Sequence, residues 1–95
     1  MATELLPDAE VHALLDELPG WDLEDGKLHR KFEFEDFQTA FGFMTSVALA
    51  AEAAGHHPEW WNTYNKVEVW LSTHSAGGIT TKDADLAREM DRLTR

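Results

Sequence analysis

Cysteine is absent from the 95 residues, which excludes disulfides, thiolate metal sites and cysteine nucleophiles together. That absence fits the cytosol, where disulfides are rare. Basic residues are scarce: eight Lys and Arg stand against eighteen Asp and Glu, for a formal net charge of −10. Such a field repels phosphate backbones, and no cluster of Lys or Arg offsets it, which argues against direct nucleic-acid binding. Long apolar runs are missing as well. No segment approaches the roughly 18 apolar residues of a membrane span. The start, Met1-Ala2-Thr3-Glu4, has neither the basic region nor the apolar stretch of a secretory signal. A soluble, cytoplasmic chain without a membrane partner is expected. With no repeat or low-complexity tract, and a length that allows one core, residues 1–95 read as one domain. A hydrophobic share of 43% supplies that core, and association between copies is a route to further stability for so small a unit.

What is present reads as alternating elements. Val11, Leu14, Leu15 and Leu18 recur at helical spacing over 8–18, with Asp8 suited to the N-cap and Pro19-Gly20 to the stop. Asp25-Gly26 separates strand-like runs at 21–24 and 27–34, a hairpin signal because the pair tolerates the positive φ of a tight turn. A long helix is expected over 36–54. Phe37, Ala40, Phe41, Met44, Val47, Ala48 and Ala51 form its stripe, and Phe43, Leu49, Ala50 and Ala54 widen it. The surplus predicts burial on a second side, against another copy, with Phe43 facing outward.

Gly55 suits the left-handed end of that helix, and Pro58 pushes His57 towards extended geometry. Strands follow at 59–64 and 67–74, joined at Asn65-Lys66. In the second, Val67, Val69, Leu71 and Thr73 face one way, and Glu68, Trp70, Ser72 and His74 the other. Thr80-Thr81-Lys82-Asp83 reads as a capping box with Asp in place of Glu, before a helix with Leu86, Ala87, Met90 and Leu93 on its core face. The order α-β-β-α-β-β-α predicts an α+β fold, a four-stranded antiparallel sheet with three helices packed on one face. The other face is then free for chemistry or a partner's strands.

Of five histidines, His56 and His57 follow the long helix and His74 ends the last strand. Strand ends and the loops beyond them are where sites are assembled, and imidazole gives and takes protons near neutral pH. Acid–base chemistry is one reading. Glu52 and His56, four apart, could share a helix face with His74 as a third ligand, the count of a catalytic zinc site. Against this, adjacent His56 and His57 diverge on an extended backbone. His12 and His29 are expected on the surface.

The residues around these histidines resemble a known family. Glu52-Ala53-Ala54-Gly55-His56-His57-Pro58-Glu59-Trp60, then Asn62, Tyr64-Asn65-Lys66-Val67 and Leu71-Ser72-Thr73-His74, closely resemble the pterin-4a-carbinolamine dehydratases. So does Phe32-x-Phe34-x-Asp36-Phe37 leading into Ala40-Phe41-Gly42-Phe43-Met44-Thr45. The resemblance covers nearly all the chain from Trp21 to the last helix, and the family's fold is also α+β.

The resemblance implies dehydration of a 4a-hydroxytetrahydropterin to the quinonoid dihydropterin, with the pterin as substrate, no cofactor and no metal. It implies catalysis by His56, His57 and His74. Glu52 and Asp83 would orient the imidazoles, Asp83 alternatively capping the last helix. Gly55 departs from the pattern, since animal members carry Asp there. Trp21, Trp60, Ser72 and Thr73 are the candidates to contact the flat heterocycle. Animal members also act as dimerisation cofactors of a homeodomain transcription factor, and relatives without the three histidines act in assembly. The resemblance therefore implies a homodimer or homotetramer through the 36–54 helix and, as an alternative partner, a transcription factor. The nucleus joins the cytoplasm as a location if the source is an animal.

Overall fold

The computed structural model describes residues 4–95; Met1, Ala2 and Thr3, on which the reading of the N-terminus largely rests, lie outside the described residues. Asp25 and Gly26 both take positive φ, 52° and 74°, and their tight turn folds β1 (Asp22–Glu24) onto β2 (Lys27–Glu33). A second hairpin joins β3 (Glu59–Thr63) to β4 (Lys66–Leu71). Its turn has Tyr64 at φ 50°, and Asn62 closes it by donating from Nδ2 to the Lys66 carbonyl at 2.8 Å. Because β2 and β4 also pair antiparallel, the sheet runs β1-β2-β4-β3 with the two hairpins side by side.

The helices α1 (Asp8–Glu17), α2 (Phe37–Ala54) and α3 (Thr81–Leu93) complete the order α-β-β-α-β-β-α. They cover one face of the sheet. Alternation on the strands supplies that face: Leu28 and Phe32 of β2 and Val67, Val69 and Leu71 of β4 are buried. They meet Val11 and Leu14 of α1, Val47 and Ala51 of α2, and Leu86 and Met90 of α3. Arg88 of α3 ties back to α1 through a two-pronged pair with Glu17, at 2.7 and 3.0 Å. Among the described residues no helix is long and apolar enough to cross a membrane.

Three local expectations change. Asp8 is the first residue of α1, not its cap. Pro7 stands at the N-cap without a side-chain bond, its carbonyl accepting from the amides of Glu10 and Val11. On α2, Phe43 points inward, 7% exposed, with ring centroids 4.8 Å from Phe32 and 5.0 Å from Phe34. Phe41, expected inside, is 51% exposed, and Phe37 and Leu49 are exposed with it. The buried arc is centred on Ala40 and Val47. Phe37 and Phe41 sit about 70–110° round the cylinder from that centre, at 100° per residue. Helical period alone admits both arcs, and the sheet selects one. Finally, β4 ends at Leu71, so His74 opens a short 3₁₀ turn, His74–Ala76, and does not lie in a strand. Gly77 at φ 80° turns the chain back, and the Thr73 amide donates to the Gly78 carbonyl at 2.7 Å.

Candidate active site

Helix ends assemble the site. Gly55, at φ 63°, ends α2, and its amide bonds to the Ala51 and Glu52 carbonyls while the His56 amide returns to Ala51. This tight exit brings His56 back beneath the helix, buried, and leaves His57 outside with its side chain 64% exposed. Across from it, α3 begins with a full capping box: Thr80 Oγ1 accepts from the Lys82 amide, and Asp83 Oδ2 accepts from the Thr80 amide at 2.9 Å.

Asp83 does more than cap. It is fully buried, and Oδ1 lies 2.5 Å from His56 Nε2. Oδ2 also accepts from Thr73 Oγ1 at 2.8 Å. Since the Thr73 hydroxyl donates to Asp83, it accepts from Thr80 Oγ1, 2.7 Å away. The carboxylate is thus an acceptor held on three sides by Thr73, Thr80 and His56, and the network assigns the imidazole proton to His56 Nε2. In the neutral ring, the lone pair then falls on Nδ1. Nδ1 has no hydrogen-bond partner among the described residues.

This carboxylate gathers three segments at one end of the fold. His57 is the chain neighbour of His56 and bonds through Nε2 to Glu52 Oε1 at 2.9 Å, an exposed pair on the last turn of α2. His74 is the chain neighbour of Thr73 and is exposed. His57 and His74 are thus exposed residues on the two segments that Asp83 ties together through His56 and Thr73. Imidazole side chains are able to donate a proton from one ring and accept it on another. Thr73, expected against a ligand, is buried and serves Asp83 instead. Ser72 is half-buried, and Trp60 is half-buried against the core.

Trp21 is not part of this arrangement. It is 4% exposed, packs edge-on against Phe32 with centroids 6.0 Å apart, and donates from Nε1 to Asp91 Oδ1 at 2.8 Å. Asp91 is eight residues beyond Asp83 on α3, or about 12 Å along the axis. An indole fixed there is a core residue, sharing Asp91 with Arg30, whose guanidinium stacks 4.3 Å above the Phe32 ring. Two sizeable surface cavities lie elsewhere too. One of about 450 Å³ is lined by Glu17, Arg30, Arg88 and Arg95, and one of about 390 Å³ by Lys31, Trp61, Lys66 and Glu68.

His29 is the residue that sequence reasoning missed. Expected on the surface, it is buried on the sheet face away from the helices, with Asp22 at Nδ1 and Glu68 at Nε2, each 2.7 Å away. Burial works against its charged form, but the Glu68 and Asp22 carboxylates outweigh burial and hold its pKa above the ordinary imidazole value. The alternation of β2 could have placed His29 on that face; only the strand register brings the acids to it.

Comparison with known proteins bears on this geometry. The family described as pterin 4 alpha carbinolamine dehydratase matches residues 4–93. A protein of Novosphingobium aromaticivorans, provisionally named pterin-4-alpha-carbinolamine dehydratase, is 56% identical over 93 residues, covering 96% of this chain and 97% of its own. One of Solibacter usitatus with the same provisional name is 52% identical over 91 residues, 96% of each chain. A solved structure from Brucella melitensis, described as a transcriptional coactivator/pterin dehydratase, superposes with a TM-score of 0.91 at 47% identity over 95% of this chain and 98% of that one. A pterin dehydratase-like RuBisCO assembly factor of the alpha-carboxysome shares the fold alone, at a TM-score of 0.63 and 20% identity over 77% and 84% of the two chains. With sequence identity of this order sustained along nearly the whole chain, and with the α+β order in common, the protein belongs to the pterin-4a-carbinolamine dehydratase family.

Proposed function

We propose that this protein removes water from a 4a-hydroxytetrahydropterin to give the quinonoid dihydropterin, using His56, His57 and His74 as acid and base. The observation that carries the reading is the buried Asp83 carboxylate, which orients His56 and ties the α2 exit to the loop bearing His74. In the reaction an imidazolium delivers a proton to the 4a-hydroxyl as the C4a–O bond breaks. A neutral imidazole takes the N5 proton as the N5–C4a double bond forms, and water leaves. The proton gained by one ring and lost by the other is exchanged through solvent. His56, with its proton on Nε2 towards Asp83, offers Nδ1 as acceptor; His57 and His74 supply the donor. Each positioned group of this kind contributes about 10²–10⁴-fold. The step needs no metal, nucleotide or covalent nucleophile, and a cytoplasmic setting goes with it.

Stopped-flow dehydration of chemically prepared hydroxypterin tests this directly. The protein is expected to accelerate loss of the hydroxypterin over buffer, with no change on adding chelator. A rate equal to the buffer blank ends the proposal, and a chelator-sensitive rate restored by zinc returns the reaction to a metal.

A second reading concerns the outer side of α2, where the exposed Phe37 and Phe41 rings lie tilted against each other with centroids 5.6 Å apart and Leu49 stands exposed. The Brucella relative's description as a coactivator lends weight to a protein-binding role there. We take a second copy of this chain as the occupant, giving a homodimer or homotetramer, with a transcription factor as the alternative. Phe41→Glu is expected to lower the sedimenting mass while dehydration persists. A wild type that sediments as a monomer leaves the face to another protein.

A further inference from the structure

We propose that Glu24, His29 and Glu68 bind one divalent transition cation of the Zn²⁺ type, on the sheet face opposite the helices. This inference does not depend on the dehydratase reading, and none of these residues belongs to the Asp83 network. The register builds the set. Asp22 of β1 lies directly across from His29 of β2, while Glu24 and Glu68 sit on the two flanking strands at diagonal positions that glutamate is long enough to bridge. The ligand atoms of Glu24, His29 and Glu68 all lie within 4.8 Å of one another.

The arrangement at Nε2 points to a cation. That nitrogen carries at most one hydrogen, yet two carboxylate oxygens converge on it, Glu68 Oε2 at 2.7 Å and Glu24 Oε2 at 3.0 Å. Two anionic oxygens beside a single donor repel each other, whereas a dication between nitrogen and oxygens attracts all three. Nδ1 is meanwhile held by Asp22 Oδ1 at 2.7 Å, the outer carboxylate that metal-bound imidazoles ordinarily have to set ring orientation and tautomer. The His29 side chain is only 8% exposed, and the Trp70 ring lies over it with centroids 5.5 Å apart, so the ligand is rigid and partly dry. Glu24 is exposed, which leaves an entry path and a fourth position for water. One imidazole with two carboxylates suits zinc, cobalt or nickel, where calcium and magnesium take oxygen donors. Binding exchanges the Nε2 proton for the ion, so the proton is released to solvent.

Calorimetric titration of the metal-stripped chain with zinc chloride, and of the same chain with cobalt(II) read by its visible absorption, tests the site. One ion per chain is expected. His29→Gln and Glu68→Gln should abolish binding, and Asp22→Asn should weaken it by about 10–100-fold, the range for an outer carboxylate. His57→Gln should leave it intact. Should His29→Gln fail to fold, Glu24→Gln, an exposed position on an edge strand, serves in its place with a loss of at least about ten-fold expected, since it removes a direct ligand. Absence of binding heat, or binding that survives both Glu24→Gln and Glu68→Gln, overturns the proposal and leaves a proton as the bridge.

Discussion

Alanine at His57 or at His74 is expected to slow dehydration by about 10²–10⁴-fold each, the usual worth of one positioned proton donor or acceptor. The circular dichroism spectrum and the melting temperature should not move. Both imidazoles are exposed, and His57 bonds only to an exposed Glu52, so neither contributes packing or a buried hydrogen bond. Exposed ion pairs of that kind are worth about 0–1 kcal/mol, too little to register against a barrier change of several. The assay therefore separates chemistry from folding. Near-normal turnover in either variant would remove that ring from the acid–base pair.

Asp83 should behave differently according to what replaces it. Asp83→Ala removes the partner of His56 Nε2, the acceptor for Thr73 and the cap of the Thr80 amide in one step. Leaving buried donors without their acceptor costs about 1–3 kcal/mol apiece, a large share of a small domain's total stability. Asp83→Asn keeps the shape and one good acceptor. Its amide oxygen can still receive the Thr80 and Thr73 donors, so the helix cap survives and melting changes little. What the amide then turns to His56 is a donor. Nε2 has to accept, the ring proton moves to Nδ1, and the nitrogen left free by the native tautomer is lost. Turnover is expected to fall about 10²–10⁴-fold with the fold retained. Nitrogen chemical shifts of His56 would report the tautomer. An active Asp83→Asn enzyme, or an unaltered tautomer, would show that the carboxylate is a cap and nothing more.

The elements were legible because each rests on local chemistry. Asp25-Gly26, the alternation of Val67, Val69 and Leu71, Gly55 after an apolar helix, and Thr80 three before Asp83 all act within a few residues of themselves. The histidines stood out for the same reason, as a pair at a helix exit and a single ring before a glycine loop. Less legible were the inward turn of Phe43, the burial of Trp21 against Asp91 and the departure of His74 from the strand. Period and composition allow either side of a helix to face the core, and nothing local shows which indole will find a buried acceptor.

By itself, then, the sequence determined the order of helices and strands, the Gly55 end of the long helix, the Thr80–Asp83 cap of the last one, and which side chains carry imidazoles. Tertiary structure alone decided that Asp83 meets His56 across 27 residues, and that Asp22, Glu24 and Glu68 close around His29 from two other strands. The reason is physical. Turns and periods are set by torsions and near neighbours, whereas a hydrogen bond between distant segments exists only once sheet register and helix packing have fixed their separation to within an ångström or less.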